Sequence, residues 1–347
     1  MTTNIRELPV LSAFRQNDQS LSPDHPWSAQ ETLAATYSRI HAATGARPQH
    51  IPEYYERKNS FHVLAWIAEL GLCEARTEVL EEGGADGWDQ AIGHAARNLG
   101  IVRVLNVPFN GQHLRWKPWV VERYADLMET ADVAYAVADP DRDDRKAVVT
   151  ALMDRNVEML RWGGQLVLAF NPPHREHEGG TAACIREAKK RGLKIRNLYP
   201  MWEKYLSGEL PVIHEVKGTE LSNMEVLDKP IRTGGLEFYS VEHFYQAAKT
   251  RDPEQRKLIQ EAPTPYKARE LGRQVQVRED WDNIRLEVME AGLRKKFVQP
   301  RLAAALAATG DALILESNTW NDTFWGVSRN NGRNHLGRLL MQIRSEL

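Results

Sequence analysis

The sequence predicts an α/β domain built on a doubly wound parallel sheet, followed by a mainly helical α+β domain. Three observations carry this. Near-continuous apolar runs alternate with helical patterns as far as Leu198. Such strands must be covered on both faces, which a parallel sheet flanked by helices provides. The alternation stops at Pro200, and beyond it short strands and helices follow without a regular order. Finally, 347 residues exceed one ordinary domain, so two are expected.

Residues 1–26 are polar and irregular and read as a flexible arm. The first domain is placed over residues 27–205. Thr36–Ile40 fits a short strand or the end of a helix that begins near Trp27, because periodicity does not separate the two. Ser60 is read as the cap of a helix carrying Val63, Leu64, Ile67 and Leu70, stopped by Gly71. The series then runs as follows: a strand near Thr77–Leu80, the turn Gly83 to Gly87, and a helix through Ala96. A strand from Ile101 to Val107 precedes a helix from Pro118 to Glu129. A strand from Val133 to Val137 precedes a helix from Arg145 to Arg161. A strand from Leu166 to Phe170 leads through Gly179, Gly180 and Thr181 into a helix ending at Gly192, and Leu193 to Leu198 closes the series.

Ligands of doubly wound domains sit at the carboxyl ends of the strands. Two Gly-rich turns leave strands there and open helices, where unshielded backbone amides suit a phosphate. Neither is a P-loop, because no Gly-Lys-Ser/Thr follows. The turn Gly83, Gly84, Ala85, Asp86, Gly87 with Asp89, the helical Asp154-Arg155-Asn156, and Gly179-Gly180-Thr181 resemble the SLOG superfamily over residues 36–200. That resemblance implies a Rossmann-like domain binding a nucleotide or an NAD-derived ligand, with Thr36–Ile40 as its first strand and the loop His41–Arg47 near the ligand. The implied contacts are Gly83, Gly84, Gly87, Arg155, Asn156, Gly179, Gly180 and Thr181. Binding rather than catalysis is expected in this half.

From Pro200 to Glu215 the pattern breaks, with a short amphipathic piece containing Trp202 and Tyr205. The second domain is placed over residues 213–347. Its centre is the stretch from Gly235 to Lys249. Leu236, Phe238 and Tyr239 read as a short strand, Ser240 offers an N-cap hydroxyl, and a helix follows from Val241. At 100° per residue, Glu242, Gln246 and Lys249 share one stripe, opposite Val241, Phe244 and Ala248. Periodicity alone fits a solvated polar face. Pro265 opens another helix, Trp281 begins a long one reaching Phe297, and Leu302 to Ala308 forms a further one. Leu313 to Leu315 is a short strand ending in Glu316. The loop from Asn318 to Gly326 carries Trp320, Asp322 and Trp325, and a closing helix holds Leu340, Met341 and Arg344. The two Trp either anchor that loop, with Asp322 as a local cap, or stack on a ligand ring.

Composition narrows the function. A formal net charge of −2 supplies no field for holding bulk nucleic acid. Two cysteines, Cys73 and Cys184, are too few for a disulfide framework or a cysteine zinc site. No apolar run approaches a membrane span, and no signal peptide opens the chain, so a cytoplasmic protein is expected. His243 stands alone on its helix and reads as packed or capping rather than metal-bound. No metal and no cofactor is called for.

Leu221-Ser222-Asn223, Tyr239 to His243, Gln246 with Lys249, and Trp281-Asp282 with Arg285 together resemble the NADAR family. The likeness continues in order through Met289, Lys296-Phe297, Thr309-Gly310, Glu316, Asp322 to Gly326 and Asn334 to Gly337, covering residues 217–347. Met224-Glu225 depart from it, standing where the family usually places an aromatic. The resemblance implies cleavage of an N-glycosidic bond, either releasing ADP-ribose from guanine bases of nucleic acid or splitting riboflavin-pathway intermediates. It implies a link to toxin–antitoxin or phage defence in the first case. A non-enzymatic sensor of NAD-derived signals is the other reading.

The chemistry fits these residue types independently. Breaking a C1–N bond leaves positive charge on the sugar, which a carboxylate stabilises, and the departing nitrogen needs a proton. Alternatively, a desolvated lysine attacks C1 and opens the ribose as a Schiff base. Glu242 and Lys249 are the expected catalytic pair. Ser222, Asn223, Tyr239, Gln246, Trp281, Arg285, Lys296, Asp322, Trp325, Gly326 and Asn334 are the expected substrate contacts. The expected partners are ADP-ribosylated guanosine in nucleic acid or a nucleotide-like small molecule, an NAD-derived ligand at the first domain, and a second copy in a homo-oligomer. No membrane is expected among them.

Overall fold

The structure is a computed structural model that describes residues 27–162 and 164–347. The expected arm over residues 1–26 lies outside the described residues. The chain divides into two units, Met1–Glu209 and Leu210–Leu347. Among the described residues no helix is long and apolar enough to cross a membrane.

In the first unit the order is α1 (Trp27–Thr36), β1 (Ile40–Gly45), α2 (Ser60–Ala75), β2 (Val79–Glu82), α3 (Trp88–Leu99) and β3 (Val102–Val107). It continues with α4 (Pro118–Glu129), β4 (Val133–Ala136), α5 (Arg145–Trp162), β5 (Leu166–Phe170), α6 (Gly179–Lys190), β6 (Lys194–Asn197) and α7 (Tyr199–Ser207). All six strands are parallel, in the order β4-β3-β2-β1-β5-β6. The chain builds outward from β1 through β2, β3 and β4, then returns to the other side of β1 with β5. The switch point therefore lies between the carboxyl ends of β1 and β5.

Four local expectations are corrected. Residues 36–40 are not the first strand: Thr36 ends α1, and the strand starts at Ile40. His41 to Gly45 is accordingly strand rather than loop, buried as far as Thr44. Ser60 does not cap α2, since Asn59 holds that position with φ 60° and Ser60 is the first helical residue. Gly71 does not stop that helix either. A Cβ there would collide with Leu198, so this glycine admits a close packing contact in a helix that runs on to Ala75.

The strands carry unexpected buried charge. Glu82 on β2 pairs with Arg103 on β3 at 2.6 Å with both side chains inaccessible, and Arg103 also donates to Thr130 Oγ1 and to the Leu127 carbonyl. Gly93 on α3 makes room for this carboxylate, which a Cβ would strike. Beside it, Glu81 Oε2 accepts from Asn106 Nδ2 at 2.7 Å, and Tyr135 and Gln30 extend the network.

The second unit holds β7 (Val212–Ile213), β8 (Ile231–Thr233), β9 (Leu236–Phe238), α8 (Val241–Ala248), α9 (Pro253–Gln260) and α10 (Pro265–Leu271). It ends with α11 (Trp281–Phe297), α12 (Pro300–Ala307), β10 (Leu313–Ile314) and α13 (His335–Arg344). Two small sheets, β7 parallel to β10 and β8 antiparallel to β9, frame a helical body. Helix α8 packs against α9, α10 and α11. Its apolar side, with Val241, Tyr245 and Ala247, joins Met289, Leu293 and Phe297 of α11 and Leu336, Leu340 and Ile343 of α13 in one core.

Burial lifts the Glu81 carboxyl from 4.5 to about 8. Folding therefore favours its protonated form. That contribution is complete below the unfolded value and is lost as pH rises through the folded one. Between pH 5 and 8 the unfolding midpoint of the intact chain is expected to fall, and Glu81→Gln, uncharged throughout, is expected to flatten that slope. Denaturant titrations at three pH values check this; an unchanged slope in the variant would assign it to other groups.

Candidate active site

The polar stripe of α8 is not a solvated face. Glu242 is 3% exposed and Gln246 4%. Ser240 opens the helix by accepting the His243 amide hydrogen at 3.1 Å. The His243 ring completes this cap: its Nε2 faces the Ala262 carbonyl at 3.1 Å and so must donate, leaving Nδ1 to accept from the Ser240 hydroxyl at 2.7 Å. The helix is thereby fixed at Ser240, two residues before Glu242.

Two amides hold the Glu242 carboxylate. Gln246 Nε2 donates to Oε1 at 2.8 Å, one turn along the helix, and Asn223 Nδ2 donates to Oε2. The Asn223 carbonyl in turn accepts the Glu242 amide hydrogen at 2.9 Å, so the loop and the helix are bonded twice. Burial raises the Glu242 carboxyl above the usual range, opposed by the Gln246 hydrogen bond and by the charges of Arg269, Lys249 and Arg273. Lys249 caps the carboxyl end of α8, half-buried, with its amine 5.6 Å from the Tyr245 ring centre. Burial lowers its amine below the ordinary lysine value; Glu242 opposes this, and Arg269 and Arg273 add to it. A carboxyl and an amine on one helix thus both shift toward neutrality.

The loop with two tryptophans approaches through Tyr245. Its ring meets Trp281 edge-on at 5.0 Å and Trp325 at 5.4 Å. Burial raises its phenol, while the Trp325 indole hydrogen-bonds it, and Glu242, Arg285 and Asp322 all act on it electrostatically. Arg285 lies 3.6 Å over the Phe324 ring and 3.2 Å from Asp282. Asp322 Oδ1 accepts the amide hydrogens of Phe324 and Trp325 at 3.2 and 2.9 Å, which is the local-cap role weighed for it. Tyr245 and Phe324 were absent from the expected residues, although each sits inside a stretch singled out by sequence.

Several expected contacts have their polar atoms taken internally. Lys296 is 0% exposed and donates to the Ser222 carbonyl at 2.6 Å, its amine pushed down to about 7 by burial. Ser222 Oγ accepts the Met224 amide hydrogen. Asn334 accepts from the Glu316 amide and donates to the Ile314 carbonyl, holding β10. Gly326 lies so near the Glu316 carbonyl that a Cβ would collide with it. Trp281 belongs to the core. Tyr239 is half-exposed at 51%, its carbonyl bonded to the Leu227 amide. Glu316, which sequence marked only as part of a pattern, carries a carboxyl raised by burial to about 7, with Oε2 unpartnered among the described residues.

In the first unit a cavity of about 320 Å³ opens at the switch point. Arg47 and His50 follow β1 there, Asp89 begins α3, Arg155 and Asn156 come from α5, and Gly179, Gly180 and Thr181 start α6. The two glycine turns differ. A Cβ at Gly83 would strike Arg155, and one at Gly87 would press on the Ala46 carbonyl at 2.6 Å. Gly84, with φ 66°, backs onto Leu105 and Tyr124. These three serve close packing and are not part of the cavity wall, contrary to the expected contact. Gly180 faces open space. Arg155 is paired with Asp89 at 3.1 Å. Asp89 Oδ1, Arg155 Nε, Asn156 Oδ1 and Asn171 Oδ1 are buried without hydrogen-bond partners among the described residues.

Comparisons with known proteins agree with this division. Residues 214–347 match the NADAR domain. An N-glycosidase of Nostoc punctiforme is 41% identical over 115 residues, 31% of this chain and 73% of that protein. N-glycosidase YbiA of Escherichia coli is 37% identical over 122 residues, 34% of this chain and 76% of that protein. The NMR structure of E. coli YbiA aligns at 32% identity with a TM-score of 0.35, over 40% of this chain and 83% of its own. A riboflavin biosynthesis protein of Vibrio vulnificus is 41% identical over 121 residues, 34% of this chain and 33% of that longer protein. The matched segment is the second unit, with the Asn223–Glu242–Gln246 constellation inside it, and through this unit the chain belongs to the NADAR family.

Proposed function

We propose that the second unit cleaves an N-glycosidic bond, with Glu242 and Lys249 as the catalytic groups. The observation that carries this is the buried Glu242 carboxylate, clamped by Asn223 and Gln246, with a lysine of lowered pKa at the end of the same helix. The relatives' name of N-glycosidase supports the reaction class. Two amides hold the carboxylate where charge develops on the sugar, so little reorganisation is needed as the C1–N bond breaks. In the amine route, neutral Lys249 attacks C1, the base leaves with a proton, and the ring-opened imine is then hydrolysed by water. Its lowered pKa increases the neutral fraction available for that attack.

Within this class we favour release of ADP-ribose from guanine bases of nucleic acid. The fused sheet domain resembles nucleotide-binding domains, which a riboflavin-pathway enzyme has no evident use for. A weak net charge favours a small or single-stranded substrate over tracked duplex. Incubation with an ADP-ribosylated guanosine oligonucleotide is expected to liberate ADP-ribose. Release only from a riboflavin intermediate would transfer the assignment to that pathway, the activity class printed for the Vibrio relative. Inactivity on both would favour a sensor of NAD-derived nucleotides.

For the first unit we propose a nucleotide or ADP-ribose-like ligand in the switch-point cavity. Its unpartnered buried polar atoms and the open approach at Gly180 support this. Calorimetry of the full chain against NAD, ADP-ribose and cyclic ADP-ribose is expected to show binding that Gly180→Val abolishes by filling the approach. Binding that survives unchanged would put the ligand elsewhere.

Two further outcomes address the residues of the reaction. Glu242→Gln keeps a hydrogen-bonding side chain of similar size and is expected to lower turnover by at least ~10²-fold, the scale of a positioned acid or base, with an unchanged circular-dichroism spectrum. Borohydride is expected to trap a covalent sugar adduct in the wild type and none in Lys249→Ala, read by intact mass. Normal rates in Lys249→Ala would eliminate the amine route.

A further inference from the structure

On the first unit, two exposed aromatic rings meet at one lysine. Tyr55 belongs to the loop after β1, and Lys117 and Trp119 stand where the loop after β3 enters α4. The Lys117 ammonium lies 5.5 Å from the Tyr55 ring centre and 5.2 Å from that of Trp119. Tyr55 is 62% exposed and Trp119 45%. Single exposed apolar residues are ordinary, but rings from separate loops gathered at one cation form a patch.

Each loop is anchored from behind. Tyr55 meets Tyr54 edge-on at 5.3 Å, and Tyr54, itself buried, stacks on Trp202. Trp202 Nε1 donates to the Pro52 carbonyl at 3.0 Å, which ties this loop down three residues before Tyr55. In the other loop, Trp116 packs edge-on against buried Tyr124 at 5.3 Å. A fixed backbone therefore presents the exposed rings, and little freedom is lost when something stacks on them. Both loops leave the carboxyl ends of parallel strands, the edge where doubly wound domains hold ligands.

Charge selects what can lie there. Residues 108–119 include Arg115 and Lys117 and no acid. Neither base has a carboxylate within ion-pair distance among the described residues. Residues 53–58 are neutral overall, with two acids and two bases, and Glu53 is paired with Arg57 at 2.8 Å. Asp86, which acts electrostatically on Tyr55, is paired with Arg123 at 3.1 Å. Exposed rings beside uncompensated cations fit a ligand that brings planar faces and negative charge together, as a nucleic-acid strand does. A duplex hides those faces, so the strand must be single. The net charge of −2 supplies no wider field, and binding depends on these local groups.

We infer that Tyr55, Lys117 and Trp119 form a stacking surface for single-stranded nucleic acid. Bases rest on the two rings, and Lys117 and Arg115 offset the charge of the backbone. The inference needs neither the glycosidase reading nor a ligand in the switch-point cavity.

Fluorescence anisotropy of the full-length chain with a labelled oligothymidylate of about 12 nucleotides tests this. The wild type is expected to bind. Tyr55→Ala/Trp119→Ala is expected to lose roughly 10-fold or more in affinity, the scale of base–aromatic stacking, with an unchanged melting midpoint because both rings are exposed. Tyr55→Phe/Trp119→Phe, which keeps a ring at each position, is expected to recover most of the binding. Lys117→Gln is expected to reduce the slope of log affinity against log salt concentration by about one phosphate contact. No binding by the wild type, or equal affinity in the alanine variant, would overturn the inference. A duplex held as tightly as the single strand would also overturn it, since only non-specific charge would then be at work. Equal loss in the alanine and phenylalanine variants with a lowered melting midpoint would mean a structural role and sink it as well. Binding of a proline-rich peptide in place of the oligonucleotide would overturn it in favour of a protein partner.

Discussion

A carboxylate buried on a short helix is the constraint around which the second unit is arranged. An isolated buried charge costs several kcal/mol, so its surroundings must supply donors or let it become neutral. Both responses are present. Asn223 and Gln246 donate to Glu242, and burial still raises its carboxyl. Gln246 comes from the next turn of the same helix, but Asn223 must be brought in from a loop. That loop is latched by the Lys296 amine on the Ser222 carbonyl and by the Asn223 carbonyl on the Glu242 amide. The Lys296 amine thus holds the backbone of that loop.

The aromatic loop packs against the helix of this carboxylate through the Tyr245 ring. Tyr245 lies three residues after Glu242 and turns toward Trp281 and Trp325, whose edges pack against it. Asp322 fixes the loop backbone from inside by accepting two of its amides, which leaves the Trp325 ring position set by hydrogen bonds as well as by packing. Arg285 on Phe324 adds a cation held flat against an aromatic face. A site built this way has its movable parts, the loops, bonded back to the helices at several points, and orientation of a reacting group depends on such bonding.

Sequence reading succeeded where local rules and tertiary packing agree. Helices Pro118–Glu129 and Trp281–Phe297 have the bounds expected from proline at the first turn and from apolar spacing. The parallel sheet was legible because apolar runs alternate with helical patterns, although β2 and β3 also carry charge. It failed where a distant partner changes a residue's meaning. Gly71 looks like a helix stop until Leu198 is seen to occupy the space beside it. Residues 36–40 carry no period that separates strand from helix. Glu81 and Glu82 fall beyond the strand expected over Thr77–Leu80, but they belong to β2, and Arg103 and Asn106 of the neighbouring strand make them interior. In the site, Glu242 and Gln246 were found by spacing, whereas their burial was not readable: an identical stripe on a surface helix faces water. Lys296 and Asn334 count as expected contacts because they belong to the same pattern, but in the fold their polar atoms bond backbone.

The two glycine turns of the first unit show why a motif of this kind is ambiguous until it is folded. Both follow a strand of the parallel sheet and lead into a helix, the position at which backbone amides suit an anion. At the first turn the volume left by the missing side chains is filled: Arg155 crosses Gly83 and is neutralised by Asp89, while Gly87 accommodates the backbone at Ala46. At the second, Gly179 takes φ 82° to turn the chain and Gly180 opens onto the cavity with nothing near its absent Cβ. Absence of a side chain therefore serves packing in one turn and access in the other. The distinction is physical rather than statistical: a glycine whose Cβ position is already occupied has been consumed by the fold, and only one whose Cβ position is empty leaves room for a ligand to reach the backbone.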